Sequence, residues 1–221
     1  FLMGIIVFII VGWEGNVSRN ALIAAISSGI LWGSGLMLMF YTLRTLEVSR
    51  VVAVFHTYPV WVAIMAVILL DERLLPIQWA AMLMVVLGAG LVTIELRSGA
   101  RKDSEGKPFR YLLLIMASMV FGGGNVVIKF ALEEMVFWNL FAIGNIGLGV
   151  VLMLGGIRRG VIKELKWIAT HRPSLTRILL TEGIIAPAAN YLRVLALSLG
   201  PVSLVSTVLS TRPLLVLIYT I

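Results

Sequence analysis

The sequence predicts an all-α membrane protein, a polytopic helix bundle, and three observations support this prediction. Of the 221 residues, 60% are hydrophobic and 13% are charged, and the charged share is about half that of a typical soluble domain. Apolar runs of about 20 residues recur, which is the length of helix that crosses the hydrocarbon core of a bilayer. Short polar turns separate most of these runs, so consecutive helices are expected to be antiparallel neighbours.

Seven nearly complete spans and one partial span are predicted. The partial span covers residues 1–12, and the others cover residues 21–43, 49–70, 76–95, 111–131, 137–155, 177–199 and 201–221. Residues 96–110 form the most polar stretch and are the predicted linker between two halves, 1–100 and 110–221. Since both ends of the sequence fall inside apolar runs, we expect the chain to be truncated at both ends.

An internal repeat with an offset of 154 residues predicts how the two halves are related. Thr57 and Pro59 recur as Thr211 and Pro213, and 12 of the 39 positions from 29 to 67 are identical without a gap. Five spans separate the starting points of the two copies, and an odd number of crossings inverts the second copy. The predicted fold is therefore an inverted five-plus-five repeat of ten helices. The first half lacks its first helix and part of its second, and the second half lacks its last.

Inverted repeats place the substrate site near the midplane, often at broken helices, and Pro59 and Pro213 are the predicted breaks. Arg212 lies about 17 Å into its span, where a charged side chain costs at least about 2.5 kcal/mol. We predict that it binds an anionic group of a substrate, together with Asn190 and Tyr191 on the neighbouring span. The alternatives are an ion pair with Glu182 or the end of a broken helix.

His56 and Glu182 are the candidates for proton coupling. His56 precedes Tyr58, and a histidine titrates near neutral pH. The alternative for His56 is a neutral core side chain that bonds the carbonyl freed by Pro59. Glu182 takes the place of Ser28 in the repeat, and a buried carboxyl group can carry a proton. Its alternatives are a partnership with Arg212 or access to water near a helix end.

Further cavity candidates are Tyr58, Trp32, Asn125 and Asn145. For the two asparagines the alternative is a hydrogen bond between helices, and for Trp32 it is contact with lipid. Lys129 and Arg193 lie near span ends, so we expect their side chains to snorkel towards the interface.

Other features limit the range of functions. Glu72 belongs to a three-charge hinge that is expected to be solvated. The chain has no cysteine, and neither a metal site, a cofactor motif nor a soluble-enzyme motif is predicted. The net charge of +7 arises mostly from short loops, which membrane topology explains better than nucleic-acid binding.

Two consecutive stretches resemble a known family, the EamA family of the drug/metabolite transporter superfamily. They are FYTLRTLEVSRVVAVFHTYPVWVAIM and LLDERLLPIQWAAMLMVVLGAGLV, and VFGGGNVVIKFAL resembles the opening helix of a family repeat. The resemblance implies a ten-helix, multi-pass carrier of the plasma or inner membrane with a central cavity. It implies transport of small metabolites, amino acids or drugs, often outward, by alternating access, with the lipid bilayer and a small molecule as partners.

Two alternatives and one conflict remain. An intramembrane enzyme acting on a lipid-linked substrate would use Glu182 and His56 as acid and base, but the sequence offers no nucleophile or metal cluster. A membrane partner that transports nothing would have its midspan charges fully paired.

Loops 44–50, 96–110 and 157–177 hold 2, 5 and 6 basic residues, which charge bias assigns to the cytoplasm. The resemblance, with a first helix restored, assigns them to the opposite side.

Overall fold

The computed structural model describes residues 2–13, 15–99, 108–156, 167, 170 and 172–211. Over these residues the secondary structure consists of helices and turns, so the all-α prediction is confirmed for this part of the chain. The helices are α1 Leu2–Val11, α2 Arg19–Leu43, α3 Val48–Phe55, α4 Tyr58–Leu69, α5 Pro76–Gly99, α6 Pro108–Glu134, α7 Phe137–Gly156, α8 Arg172–Leu180, α9 Ala186–Leu199 and α10 Val202–Leu209. A π-helical turn, Thr181–Ile185, joins α8 to α9.

Five of the described segments are long and apolar enough to cross a membrane. They are Arg19–Leu43, Val48–Leu69, Phe109–Glu134, Phe137–Gly156 and Leu175–Leu199. Helix α5 adds a shorter apolar part, Pro76–Gly88. A multi-pass helical bundle is therefore supported. The arrangement of ten helices as an inverted repeat stays a prediction, because residues 212–221 of the last predicted span lie outside the described residues.

Glycines bring the backbones of α2, α6 and α7 into close contact. A Cβ atom on Gly29 of α2 would collide with the carbonyl oxygen of Gly144 on α7. A Cβ atom on Gly35 would lie 2.8 Å from the Cβ of Phe121 on α6, and one on Gly124 would lie 3.1 Å from the backbone nitrogen of Trp32. Small residues are the usual means of close helix packing in membranes, where lipid removes the hydrophobic drive between helices. Helix α2 is therefore held tightly between α6 and α7.

Replacing Gly29 by Ala is expected to lower the free energy of unfolding by at least about 1 kcal/mol, because the added methyl group meets backbone rather than a movable side chain. Thermal unfolding of the detergent-solubilised protein measures this loss. Gly88→Ala is the matched control, since no atom lies within 4 Å of a Cβ at that position. Equal melting temperatures for the two variants would contradict the close packing of α2 on α7.

The predicted span 49–70 is divided into two helices near Pro59. Helix α3 ends at Phe55, and α4 begins at Tyr58 after a two-residue turn. Proline has no N–H to continue the helical ladder and is well tolerated in the first turn of a new helix. The hydroxyl group of Thr57 donates to the carbonyl oxygen of Val54 at 2.7 Å and so satisfies one acceptor at the end of α3.

Helix α10 repeats the form of α3 in the second half. Its first and last residues lie 154 positions after those of α3, and a turn at residues 210 and 211 follows it. The hydroxyl group of Tyr58 donates to the carbonyl oxygen of Ser206 at 3.3 Å, so α4 and α10 are in contact. Arg212 and Pro213, which follow that turn, lie outside the described residues, and the predicted break at Pro213 and role of Arg212 stay predictions.

The prediction that Glu72 belongs to a solvated hinge is wrong. Its carboxylate accepts hydrogen bonds from the backbone nitrogens of Val202 at 2.7 Å and Ser203 at 3.3 Å, and from the Ser203 hydroxyl at 2.6 Å. These amides belong to the first turn of α10 and have no acceptor within the helix. The negative charge also complements the positive end of the helix dipole. Glu72 therefore fixes the start of α10 to the α4–α5 loop.

Side chains satisfy two further helix ends. The hydroxyl of Ser18 accepts from the amide of Ala21 at 3.0 Å at the start of α2, and donates to Glu134 at the end of α6. Lys129, expected to snorkel, donates to the carbonyl oxygens of Leu197 at 3.1 Å and Gly200 at 3.0 Å. It therefore binds the orphan carbonyls at the end of α9.

Candidate functional site

A pocket lies between α2, α6, α7 and α9, near the midpoints of α2 and α7. Trp32 is about 20 Å from the start of α2, and Asn145 is about 12 Å from the start of α7, so both are near the midpoints of their helices. The pocket holds about 310 Å³ of space not filled by atoms, including the part open to the outside. Most of its lining is apolar. The polar side chains in the lining are Ser28, Trp32, Asn145, Asn190 and Arg193.

Arg193 lies at the centre of this site, and the prediction that it snorkels to the interface is wrong. The residue is only 5% exposed. Its Nη1 donates to Oδ1 of Asn125 on α6 at 2.5 Å, while its Nε and Nη2 donate to Oδ1 of Asn190 at 3.2 Å and 3.0 Å. Asn190 and Arg193 are three residues apart on α9 and share one helical face. This face points into the bundle.

The asparagines extend this network to a third helix. Nδ2 of Asn190 donates to Oδ1 of Asn145 at 2.9 Å, and Nδ2 of Asn145 donates to the carbonyl oxygen of Phe141 at 2.7 Å. The chain of hydrogen bonds therefore runs from α6 through Arg193 on α9 to the backbone of α7. Buried polar groups are costly unless they are bonded, and these bonds orient Asn145 and Asn190 beside the pocket.

Trp32 covers the face of the Arg193 guanidinium group. Cζ of Arg193 lies 3.8 Å from the centre of the Trp32 ring, a distance typical of a cation–π contact. Within the described residues, Nε1 of Trp32 and Nδ2 of Asn125 are buried and have no hydrogen-bond partner. Both are donors, so two hydrogen-bond donors beside Arg193 have no acceptor among the described residues.

An aromatic run connects the pocket with the break between α3 and α4. Phe121 stacks on Trp32 with ring centres 5.2 Å apart, and it lies 5.0 Å from the rings of both Phe55 and Tyr58. The His56 ring lies 6.1 Å from each of these last two rings. His56 and Tyr58 therefore stand at the far end of the run from Arg193.

The structure thus brings four of the predicted cavity residues together and places His56, Tyr58 and Tyr191 apart from them, while Arg212 lies outside the described residues. Trp32, Asn125 and Asn190 contact one guanidinium group, and Asn145 bonds Asn190. Sequence reasoning missed that group, although the spacing of Asn190 and Arg193 on one helical face was a usable signal.

Tyr191 and Glu182 lie apart from the network. The Tyr191 ring stacks on Trp138 at 5.7 Å and meets Phe137 edge-on at 5.5 Å, in an aromatic cluster beside the pocket. Glu182 is exposed in the π-helical turn of Thr181–Ile185. Within the described ranges, no group of three His, Cys, Asp or Glu residues could hold a metal ion.

Comparison with known proteins identifies the first part of the chain. Residues 1–94 match the EamA-like transporter family, and no curated protein matches the chain. The matched segment includes Trp32, the break before Pro59 and Glu72, whereas Asn125 and Arg193 lie outside it. The family resemblance expected from the sequence is confirmed over this segment. The first 94 of the 221 residues are therefore similar to the EamA-like transporter family.

Proposed function

We propose that this protein is a carrier for small molecules and that the pocket around Arg193 is its substrate site. The observation that carries the proposal is the convergence of Trp32, Asn125, Asn145, Asn190 and Arg193 inside a bundle of four apolar helices. Polar and charged side chains are expensive within a membrane, and they commonly mark substrate pathways. The match of residues 1–94 to the EamA-like transporter family supports the same conclusion.

The carrier would work by alternating access between the halves 1–100 and 110–221. Trp32 comes from the first half, whereas the asparagines and Arg193 come from the second. A rocking movement of the halves would change the 3.8 Å contact between Trp32 and Arg193 and expose the pocket to each side in turn. Outward transport of metabolites, amino acids or drugs is proposed from the family resemblance.

His56 and Glu182 remain our candidates for proton coupling. The aromatic run joins His56 to the pocket, so a change of charge at His56 would act next to Tyr58 and Phe121. Glu182 lies in a π-helical turn, a feature frequent at functional sites, in the same span as Arg193. Arg212 stays a candidate for the anionic group of a substrate.

The enzyme alternative needs Glu182 and His56 in one reaction centre. Glu182 is exposed in the π-helical turn, whereas His56 is half-buried and packs with Phe55 and Tyr58. These different surroundings favour the transporter proposal over an acid–base pair.

A metabolite-efflux screen tests the proposal. Cells that express the natural protein are expected to release at least one small molecule faster than control cells, as measured by mass spectrometry of the medium. Asn190→Ala should lower that efflux at least tenfold, because it removes an acceptor of Arg193 and a donor to Asn145. Asn20→Ala, an exposed position at the start of α2, is the matched control and should keep it. No efflux above the control would contradict the transport function, and full efflux by Asn190→Ala would exclude this pocket.

A further inference from the structure

We propose that the substrate of this pocket is a small organic anion with a carboxylate on an apolar body and no ammonium group. The inference rests on the proposed transport function, because it names the substrate class of the same site. Three properties support it: the charge of the described lining, the type of the unbonded polar atoms beside Arg193, and the mostly apolar character of the other lining residues.

The charge of the lining is positive. Among the described residues that line the pocket, Arg193 is the only ionisable side chain. Its guanidinium group is almost wholly buried and bonds the neutral oxygens of Asn125 and Asn190. A charge-assisted hydrogen bond to a carboxylate is about twice as strong as one to a neutral acceptor. The pocket therefore favours a negatively charged ligand over a neutral one of the same shape.

The unbonded polar atoms are donors. Asn125 is 1% exposed, and its Nδ2, like Nε1 of Trp32, is buried and without a hydrogen-bond partner in the described chain. The orientation of the Asn125 amide is fixed, because only its oxygen can accept from Nη1 of Arg193. Both donors adjoin the guanidinium group, since one amide bonds it and the indole ring covers it. An ionised carboxylate, which only accepts hydrogen bonds, is the complement of this arrangement.

The rest of the described lining is mostly apolar and offers no carboxylate to a positive charge. Leu140, Leu148 and Val194 form part of its wall, and no Asp or Glu is among the described lining residues. An ammonium group would therefore lie beside Arg193 without a carboxylate to pair with. The described lining therefore suits a ligand with an apolar body that ends in a carboxylate.

The test compares three probes with the same isobutyl tail: 4-methylpentanoate, its amide 4-methylpentanamide, and leucine. Binding to the purified natural protein in lipid nanodiscs is measured by isothermal titration calorimetry. We expect the carboxylate to bind at least about tenfold more tightly than the amide or leucine. Equal affinities, or tighter binding of the amide or of leucine, would overturn the proposal.

Two variants locate the preference at Arg193. Arg193→Gln removes the positive charge. Asn125→Asp retains the shape of the Asn125 side chain but places a carboxylate beside the guanidinium group. In each, the ratio of carboxylate to amide affinity should fall to about one, and Asn125→Asp decides if Arg193→Gln does not fold. Arg19→Gln, at an exposed position, is the matched control and should keep the ratio. An unchanged ratio in Asn125→Asp would contradict the assignment.

Flux measurements separate this inference from the transport proposal. A carboxylate preference in binding, with no movement of 4-methylpentanoate across proteoliposomes, would support the anion site and contradict transport through it. Movement of amide or leucine that Asn190→Ala abolishes, without a carboxylate preference, would support transport and overturn the anion inference.

Discussion

Replacing Asn125 by Leu is expected to lower the free energy of unfolding by about 2–3 kcal/mol and to abolish transport. The two side chains have the same number of non-hydrogen atoms and the same branching, so much of the loss comes from the hydrogen bond that Nη1 of Arg193 makes at 2.5 Å. Hydrogen bonds to charged groups contribute about 1.5–3 kcal/mol, and removing one partner leaves the buried charge poorly solvated. Thermal unfolding in detergent measures the stability, and proteoliposome flux measures the transport.

A double variant separates stability from function. Asn125→Leu combined with Arg193→Met removes the charge together with one of its two acceptors. Replacing both partners of a buried polar pair by apolar groups is often nearly neutral. We therefore expect the double variant to recover most of the lost stability, while transport stays abolished. The single Arg193→Met variant completes the cycle.

The control for this cycle is Asn20→Leu, at an exposed position, which should change the free energy of unfolding by less than about 0.5 kcal/mol. Two outcomes would contradict the argument. Stability losses that simply add in the double variant would show that Asn125 and Arg193 are not coupled. Recovery of transport together with stability would show that the network serves the fold and not the substrate.

The fold was predictable where local rules decide it. Apolar length predicts helices, and the missing N–H of Pro59 predicts that its span cannot continue as one helix. The repeat predicts that α10 resembles α3, because the same pattern of residues meets the same kind of turn. Each of these predictions depends on a few neighbouring residues or on a repeated segment.

The site was predictable in part for the same reason. Polar side chains such as Asn125, Asn145 and Asn190 are costly in lipid, so their place inside the bundle follows from composition. Arg193 was missed because it lies about 9 Å from the end of its span, a depth from which a long side chain can reach either the interface or the interior. The choice depends on which face of α9 meets α6, and that is a tertiary property.

Glu72 and Glu182 show that the exposure of a side chain is not predictable from the local sequence. Glu72 was assigned to solvent, yet its partners Val202 and Ser203 lie about 130 residues later in the chain. Glu182 was considered for a buried role because it lies in an apolar span, yet it is exposed in the described chain. Neither contact nor exposure follows from the local sequence, because each depends on how distant helices pack.

Replacing Glu72 by Ala is expected to destabilise the start of α10 by about 2 kcal/mol, the upper end of the range for a lost helix cap. The carboxylate accepts three hydrogen bonds there, so its removal leaves the first amides of the helix without acceptors. Hydrogen exchange resolves this local effect. Amides at Val202 and Ser203 should exchange about 30-fold faster, since about 1.4 kcal/mol corresponds to a factor of ten.

Glu47→Ala is the matched control, because Glu47 lies at the start of α3, the helix of the first half that corresponds to α10. Glu47 is the residue before α3, but its side chain makes no capping hydrogen bond and forms an ion pair with Arg50 at 3.1 Å. A partly exposed pair of this kind contributes at most about 1 kcal/mol. Glu47→Ala should therefore speed amide exchange in α3 less than Glu72→Ala speeds amide exchange in α10. Because α10 also contacts Tyr58 through Ser206, loosening its start would reach the aromatic run and reduce flux through the pocket. Unchanged exchange at Val202 in Glu72→Ala would show that the α4–α5 loop does not hold the start of α10 in place.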